Sequence, residues 1–472
     1  MVVDVSFNEV KLFFVRKGAR MDYVPHTDKD KKEMLKEIGV DSTDGLFRIV
    51  PEELRKVSLD ITGALSEQEL LAHLKAQSRK NCNLDEYIAF LGAGTYEHFC
   101  PSIVDHLSSR GEFLTCYTPY QAEASQGTLQ AIYEFQTLVA ELTAMDVANA
   151  SLYDGASALA EAALLAFRYK GSVSGGKVVV SKAVHPEYRE VLRTYLRPLD
   201  VSITEVEVSG GITDAKALRA VVDTETAAVL VQNPNFFGCL EEDLGELSAA
   251  AHEKGALLVS CVNPISLGII RPPGEYDADI AVGDAQPLGN QPFYGGPHVG
   301  FFAVNKKFMR KMPGRLVGLT NDVEGRRGFV LTLQAREQHI RRQRATSNIC
   351  TNQNLLALRA CIYLSALGKE GLRELAELNL QKSHYAMDQI CNLNGFEPLF
   401  DRPFFNEFAV KLPKGLESRI SSMLFRGGII GGLPLGRFYR ELEGAMLFCV
   451  TEEKTKADID KLVKALREAS GG

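Results

Sequence analysis

Three stretches of the 472-residue chain carry residue types at spacings suited to chemistry. In Cys116-Tyr-Thr-Pro-Tyr-Gln-Ala-Glu-Ala-Ser-Gln-Gly127, the groups Tyr117, Tyr120, Gln121 and Gln126 crowd into a loop before an apolar-periodic helix, about Thr128–Thr143. Loops on rigid scaffolds are where binding groups concentrate; the plain alternative is a Tyr–Pro turn that merely packs. The second stretch is basic. Arg336, Arg341, Arg342 and Arg344 have the fork geometry for carboxylate or phosphate, although their charge pattern favours a solvated, salt-bridged helix face. In the third, Ala148-Asn-Ala-Ser-Leu-Tyr-Asp-Gly-Ala-Ser157 leads into the Ala-rich helix Ala158–Tyr169. Small residues let a ligand approach the backbone, and a helix N-terminus attracts phosphate. Asp154 opposes phosphate there unless it points away, and the stretch is not a G-x-G-x-x-G motif.

What organises these stretches is the window from Ala256 to Val304. Ala256–Val262 reads as a buried strand, Asp279–Gly283 as a second and Val299–Val304 as a third, reached through the turn-rich loop Gly289–Pro297. The first two have the character of core strands in an open α/β sheet, whose carboxyl ends carry ligands. A pyridoxal phosphate enzyme on this layout needs an acid near the first strand end and a Schiff-base lysine near the second. This chain has Ser260-Cys-Val-Asn263 and Asp284-Ala-Gln-Pro287 in those places, and no lysine between Lys254 and Lys306. Those two lysines sit at a helix end and after a strand, and read as surface residues. The scaffold is present and the chemical group absent.

The elements around the window alternate. Strands at Val178–Ser181, Val201–Val208 and Ala227–Gln232 are interleaved with helices at Pro186–Leu196, Asp214–Asp223 and Glu241–Lys254. This rhythm predicts a mostly parallel sheet with helices on both faces and right-handed crossovers. Residues 1–80 predict a helical arm. Tyr23-Val-Pro-His-Thr27 opens a helix that Thr27 caps and Gly39 closes, Pro51 starts a second, and Ser66-Glu-Gln-Glu69 is a capping box before Leu70, Leu71 and Leu74. Such an arm either wraps a partner subunit or packs on its own domain. Beyond the large domain, 81–335, a smaller α/β domain over 336–472 is expected. It has helices at Asn354–Leu367 and Gly371–Leu393, strands near Phe408–Lys411 and Met446–Val450, and a final helix, Ala457–Ala469.

Composition excludes some classes. A net charge of −7 argues against broad nucleic-acid or anionic-membrane binding. No run of 18 apolar residues is present, so no membrane span is expected. Met1–Val15 lacks a basic n-region and does not read as a secretory signal. The nine cysteines form no C-x-x-C pair and read as reduced thiols in a cytoplasmic protein. His98, His185, His298 and His339 have no metal-ligand spacing and read as structural or surface histidines, with His298 set apart by following Gly295-Gly296.

Several stretches taken together are more specific than any one. Tyr117–Gln136, Asp146–Gly155, Arg327-Gly-Phe-Val-Leu-Thr-Leu333, Arg336-Glu-Gln-His-Ile-Arg341 and Ala345-Thr-Ser-Asn-Ile-Cys350 closely resemble the glycine cleavage system P-protein, in the form split over two chains, and its first (alpha) subunit. The resemblance runs from Tyr23 onward. It implies an aspartate-aminotransferase-like α/β fold (fold type I pyridoxal phosphate) with a smaller C-terminal domain. It implies pyridoxal phosphate held on a lysine of the second (beta) subunit. The family pattern there reads Asp-Gly-Ala-Asn and then Leu-His-Lys-Thr, from which this chain departs at 260–263 and 284–287. The partners implied are that beta subunit (two alpha and two beta chains), glycine, and the lipoyl arm of H-protein, which receives the aminomethyl group as carbon dioxide leaves. The resemblance also implies donations across the subunit boundary. Tyr117, Tyr120 and Gln121 are expected near the partner's cofactor or the lipoyl arm, and Thr346, Ser347 and Asn348 as hydroxyl and amide donors to its phosphate. Arg341, Arg342 and Arg344 are candidates for steering an acidic lipoyl carrier. The other readings are a self-sufficient enzyme of the same fold, such as a cysteine desulfurase-like or decarboxylase-like protein, and a non-enzymatic scaffold or regulator.

Overall fold

The computed structural model describes residues 26–55, 63–171 and 175–471. The expected start at Met1–Val15 and the Tyr23-Val-Pro25 lead-in lie outside the described residues. The chain divides into two units, Met1–Asn81 and Cys82–Gly472.

In the first unit the local signals act as capping chemistry requires. Thr27 and Asp30 form a reciprocal capping box at the start of the helix Asp28–Ile38, and Gly39 ends it at φ 79°. Ser66 and Glu69 do the same for the helix Glu67–Ser78, and Glu52–Arg55 is a single turn after Pro51. None of these helices buries a residue.

The second unit is built on a seven-stranded sheet. Its strands are β1 (Val147–Ala148), β2 (Gly176–Ser181), β3 (Val201–Val206), β4 (Thr226–Asn233), β5 (Leu257–Val262), β6 (Ile280–Asp284) and β7 (Gly300–Val304). Their order is β1-β7-β6-β5-β4-β2-β3. The pairs from β6 to β3 are parallel, and only β7 runs against its neighbours. The alternation of buried side chains shows why both faces are covered. Val179, Val229, Val231 and Leu258 enter one core, while Val178, Val180, Leu230 and Val259 enter the other. A strand buried on both faces reads as a continuous apolar run. Helices α1 (Gln126–Thr143), α2 (Gly155–Lys170), α3 (Pro186–Leu196), α4 (Ala215–Val221) and α5 (Leu244–His252) supply the covering layers. The strand expected to reach Val208 stops at Val206. Gly210 and Gly211, at φ 59° and 90°, turn the chain into a two-residue hairpin between Val208–Ser209 and Ile212–Thr213.

After β7 the chain makes an antiparallel hairpin, β8 (Leu316–Asn321) with β9 (Arg327–Thr332). The solvated helix face expected around Arg336–Arg344 is therefore corrected. Only Gln338–Arg341 is one α-helical turn. Phe329 and Leu331 point inward at period two and pack with Leu129 and Ile132 of α1. Arg336 is tucked under the segment, where its guanidinium donates to the Met312 carbonyl.

Helix α6 (Asn354–Cys391) links the two layers of the unit and breaks at Gly368, φ 61° and ψ −173°, which separates the two helices expected there. Its first part packs Ala357, Tyr363 and Leu364 into the large core, and its second packs Ala386 and Ile390 into the C-terminal core. That C-terminal layer holds a four-stranded antiparallel sheet centred on β10 (Glu407–Lys411) and β11 (Ala445–Cys449), with α7 (Glu417–Arg426) and α8 (Lys456–Ser470). The early segment Ile88–Ala89 also joins this layer, pairing in parallel with Ile429–Ile430, and Phe90 is buried among its apolar residues.

Candidate functional site

The carboxyl ends of β4, β5 and β6 open on a cleft lined by Gln232, Cys261 and Asp284 from the sheet, Asn263 just past β5, His185 at the cap of α3 and Tyr188 within it, and Glu407 from β10. In an open α/β sheet this is the ligand position. Here the space left is about 30 Å³, enough for roughly one water.

Most of its walls are satisfied from within the chain. His185 is buried; its Nε2–H donates to the Ala93 carbonyl at 2.9 Å, and Nδ1 accepts from Glu187 N–H at 3.2 Å. Those bonds fix the neutral tautomer, and burial pushes its pKa down. Its ring stacks on Tyr188 with centroids 4.9 Å apart. Burial first, then the charge of Asp284, hold the Tyr188 phenol well above its ordinary range. Asp284 takes three donors: Gln286 N–H at 2.8 Å on Oδ1, with Gly155 N–H at 3.1 Å and His298 Nδ1 at 2.9 Å on Oδ2. The Asp284 bond raises the pKa of His298. Asp154 turns back to cap its own helix, accepting from Ser157 N–H at 2.7 Å. Glu407 accepts from Ala93 N–H at 2.6 Å and the Tyr96 hydroxyl at 2.8 Å; its burial raises its pKa to about 7.

Pyridoxal phosphate does not fit this cleft. No lysine lines it. Ser260 stands at the family's acid position and is bonded to the Tyr276 hydroxyl at 2.6 Å, while at the strand end Asn263 Oδ1 is spent on Ile265 N–H, leaving the buried amide Nδ2, a donor, unpartnered. Where a phosphate needs the N-terminus of α2, Asp284 already accepts from Gly155.

A second constellation lies at the β8–β9 hairpin. Arg315 is buried, and its guanidinium donates to the Cys350 carbonyl at 2.6 Å, Asn352 Oδ1 at 3.1 Å and the Tyr120 hydroxyl at 3.3 Å. Its charge also lies 5.5 Å from the centre of the Tyr120 ring, and His339 meets that ring edge-on at 5.3 Å. Gln126 clamps the adjoining loop to β9 by exchanging two 2.9 Å bonds with the backbone of Phe329.

Residues 21–466 match the profile of the glycine cleavage system P-protein family. A probable glycine dehydrogenase (decarboxylating) subunit 1 from Desulfitobacterium hafniense is 54% identical over 449 residues, covering 95% of this chain and all of that protein. A protein of the same description from Brevibacillus brevis is 54% identical over 446 residues, 94% of this chain and 98% of the relative. The chain belongs to the glycine cleavage system P-protein family. A crystal structure of glycine decarboxylase (P-protein) in inhibitor-bound form superposes with a TM-score of 0.88 at 46% identity, over 95% of this chain and 100% of that one. The P-protein family is one of fold-type I pyridoxal phosphate enzymes. A cysteine desulfurase from Escherichia coli, at 15% identity and a TM-score of 0.61, shares the fold alone.

Within this P-protein chain the expected site residues separate by exposure. Tyr117 is 84% exposed and Tyr120 45%, and Gln121 is exposed ahead of a short 3-10 turn. Asn348 is exposed and Thr346 half-buried, with its backbone bonded to Arg336 and Arg168. Ser347 differs. It is buried, and its hydroxyl accepts from Ile349 N–H at 3.0 Å, so it holds the turn. Arg315 joins Tyr120 to the Cys350–Asn352 end of the second set, a link sequence reasoning missed because Arg315 sits in an ordinary basic run. Tyr188, Asp284 and Glu407 were missed for another reason: they act by filling a place, which no spacing announces.

Proposed function

We propose that this chain is the subunit of a two-chain glycine-decarboxylating P-protein that does not hold the cofactor itself and instead completes the site of a second, beta subunit. The observation that carries the reading is the closed cleft: a family whose chemistry rests on pyridoxal phosphate is represented here by a chain whose ligand position has no lysine and room for one water. The reaction is loss of carbon dioxide from glycine and transfer of its aminomethyl group to the lipoyl arm of H-protein, with pyridoxal phosphate on the beta subunit supplying the electron sink.

On this reading the face formed by the exposed Tyr117, Tyr120, Gln121 and Asn348 with the half-buried Thr346 meets the partner's cofactor or the lipoyl arm, with Ser347 and Arg315 holding it in shape. Arg341, Arg342 and Arg344 are exposed and supply positive charge to an acidic carrier. The first unit supports an assembled state, since Leu70, Leu71 and Leu74 stay half-exposed on a helix that buries nothing. No helix among the described residues is long and apolar enough to cross a membrane, in keeping with an assembly that works in the cytoplasm.

The test is glycine-dependent carbon dioxide exchange with pyridoxal phosphate and lipoyl H-protein, run with this chain alone and then with its beta partner. Activity only in the mixture supports the reading. Activity from this chain alone overturns it in favour of a self-sufficient enzyme. Full activity from the partner alone overturns it in favour of a scaffold.

A further inference from the structure

We propose that Asp284 is an internal ligand: its carboxylate occupies the anion seat of this chain's own cleft, and the seat, once vacated, takes a free carboxylate of formate size. The inference stands whether or not the chain works as a subunit, because it rests only on the cleft.

The seat is built from three separate parts of the fold. The first N–H of the 16-residue helix α2 comes from Gly155. A backbone N–H comes from Gln286, just past β6. An imidazole comes from His298 at the far end of the loop that returns to β7. All three donors converge on one carboxylate that is 8% exposed. Buried carboxylates persist when each oxygen is hydrogen-bonded and a cation stands beside them; both Asp284 oxygens are bonded, and the bond to Asp284 favours the protonated form of His298.

Helix capping does not explain the arrangement. Helix α2 already has its own cap, Asp154, bonded to Ser157. Asp284 reaches the same terminus from 129 residues away in sequence and takes the N–H that points along the helix axis into the cleft. A helix N-terminus attracts an anion there, and here the chain supplies it. The groups facing the seat are His298, Asp154, the Tyr188 phenol and the Cys261 thiol. Of these only His298 can carry a positive charge. His298 Nε2 in turn lies 3.5 Å from the Thr95 hydroxyl.

The shape sets the size of what the seat accepts. A Cβ on Gly155 would lie 2.4 Å from the Tyr188 hydroxyl and 3.0 Å from the Asp284 backbone nitrogen. The walls therefore close directly around the carboxylate. The group held there has one carbon and two oxygens, the composition of formate.

The experiment uses the full chain carrying Asp284→Ala or Asp284→Asn, with formate as the probe. Melting temperature and the NMR titration of His298 are followed against formate, with chloride at equal ionic strength as control. The expected result for Asp284→Ala is a melting temperature several degrees lower, restored by formate along a saturating curve that chloride does not reproduce. Asp284→Asn keeps the volume, loses the charge, lowers the apparent pKa of His298 and gives no response to formate. Formate raising the wild type and Asp284→Ala in parallel would overturn the proposal. If Asp284→Ala does not fold, Asp284→Asn decides, and an unchanged His298 titration in that variant overturns it.

Discussion

Arg315 Nη2 lies 3.3 Å from the hydroxyl of Tyr120, and the same guanidinium reaches Asn352 and the carbonyl of Cys350. A planar fork of five donors can hold three acceptors on two segments; a lysine ammonium on a flexible stem cannot hold the same set. Arg315→Lys is expected to leave assembly with the beta partner unchanged. It should lower kcat of the mixture by roughly 10- to 100-fold, the cost of a site group displaced by about 1 Å. Arg315→Ala should do more, because the buried Glu337, 3.9 Å from Arg315 Nε, loses a cation that counters its burial. Truncating one partner of a buried pair costs about 3 kcal/mol. Steady-state kinetics beside thermal melts separate the two variants. Normal kcat in Arg315→Lys would sink the positioning role.

Glu407 gives the chain a pH dependence of definite sign. Burial holds its pKa near about 7 in the folded state, against an ordinary value of 4.5. The folded chain therefore keeps a proton that the unfolded chain gives up. Stability from this group is fully present below the unfolded pKa and is lost as pH rises from about 4.5 to 7, by on the order of 3 kcal/mol. Glu407→Gln keeps an acceptor for Ala93 N–H and has no charge to bury. The expected outcome is a flatter stability curve in urea between pH 4.5 and 7, with the variant gaining on the wild type as pH rises. Parallel curves would count against the burial argument.

Gly155 is required by contact rather than by conformation. An added Cβ would meet the Tyr188 hydroxyl at 2.4 Å, and overpacking of this kind costs typically about 2 kcal/mol. Gly155→Ala should lower stability by about that amount. Tyr188→Phe, which removes the nearest atom, should recover a large share of it in the double variant. Strictly additive effects in a double-mutant cycle would show that the two residues do not press on one another.

Much of the fold was legible because its signals are local or periodic. Pro186–Leu196 forms a helix over the range read from the sequence, with Pro186 in the first turn where its missing N–H costs nothing. β4 and β5 are runs of apolar residues, as strands buried on both faces must be. The stretch Arg336–Arg344 failed as a solvated helix face because charge pattern alone was weighed there, and only Gln338–Arg341 makes a helical turn. Phe329 and Leu331 alternate inward, and the alternation identifies β9. The missing lysine was legible as an absence, but the closure of the cleft was not. Tyr188 lies on a helix and Asp284 at a strand end, 96 positions apart, and only the fold brings both against Gly155. In the same way Tyr120 and Cys350 were each in view, and the bonds of Arg315 to both were not.

The exposed leucines of the first unit make the last prediction. Leu70, Leu71 and Leu74 are 45%, 51% and 55% exposed on the helix Glu67–Ser78, so each has about half its surface left to cover. Covering that remainder on a partner is worth about 1 kcal/mol per residue, half the value of a full leucine burial. Replacing all three by glutamine keeps helix propensity nearly unchanged and removes about 3 kcal/mol of association free energy, close to 100-fold in Kd. The thermal stability of the chain alone should stay within about 0.5 kcal/mol of the wild type, as for surface substitutions. Titration of the beta subunit in an analytical ultracentrifuge checks the first number and melts check the second. A fall in stability without a fall in affinity would place these leucines against their own chain, and the arm would then have no part in assembly.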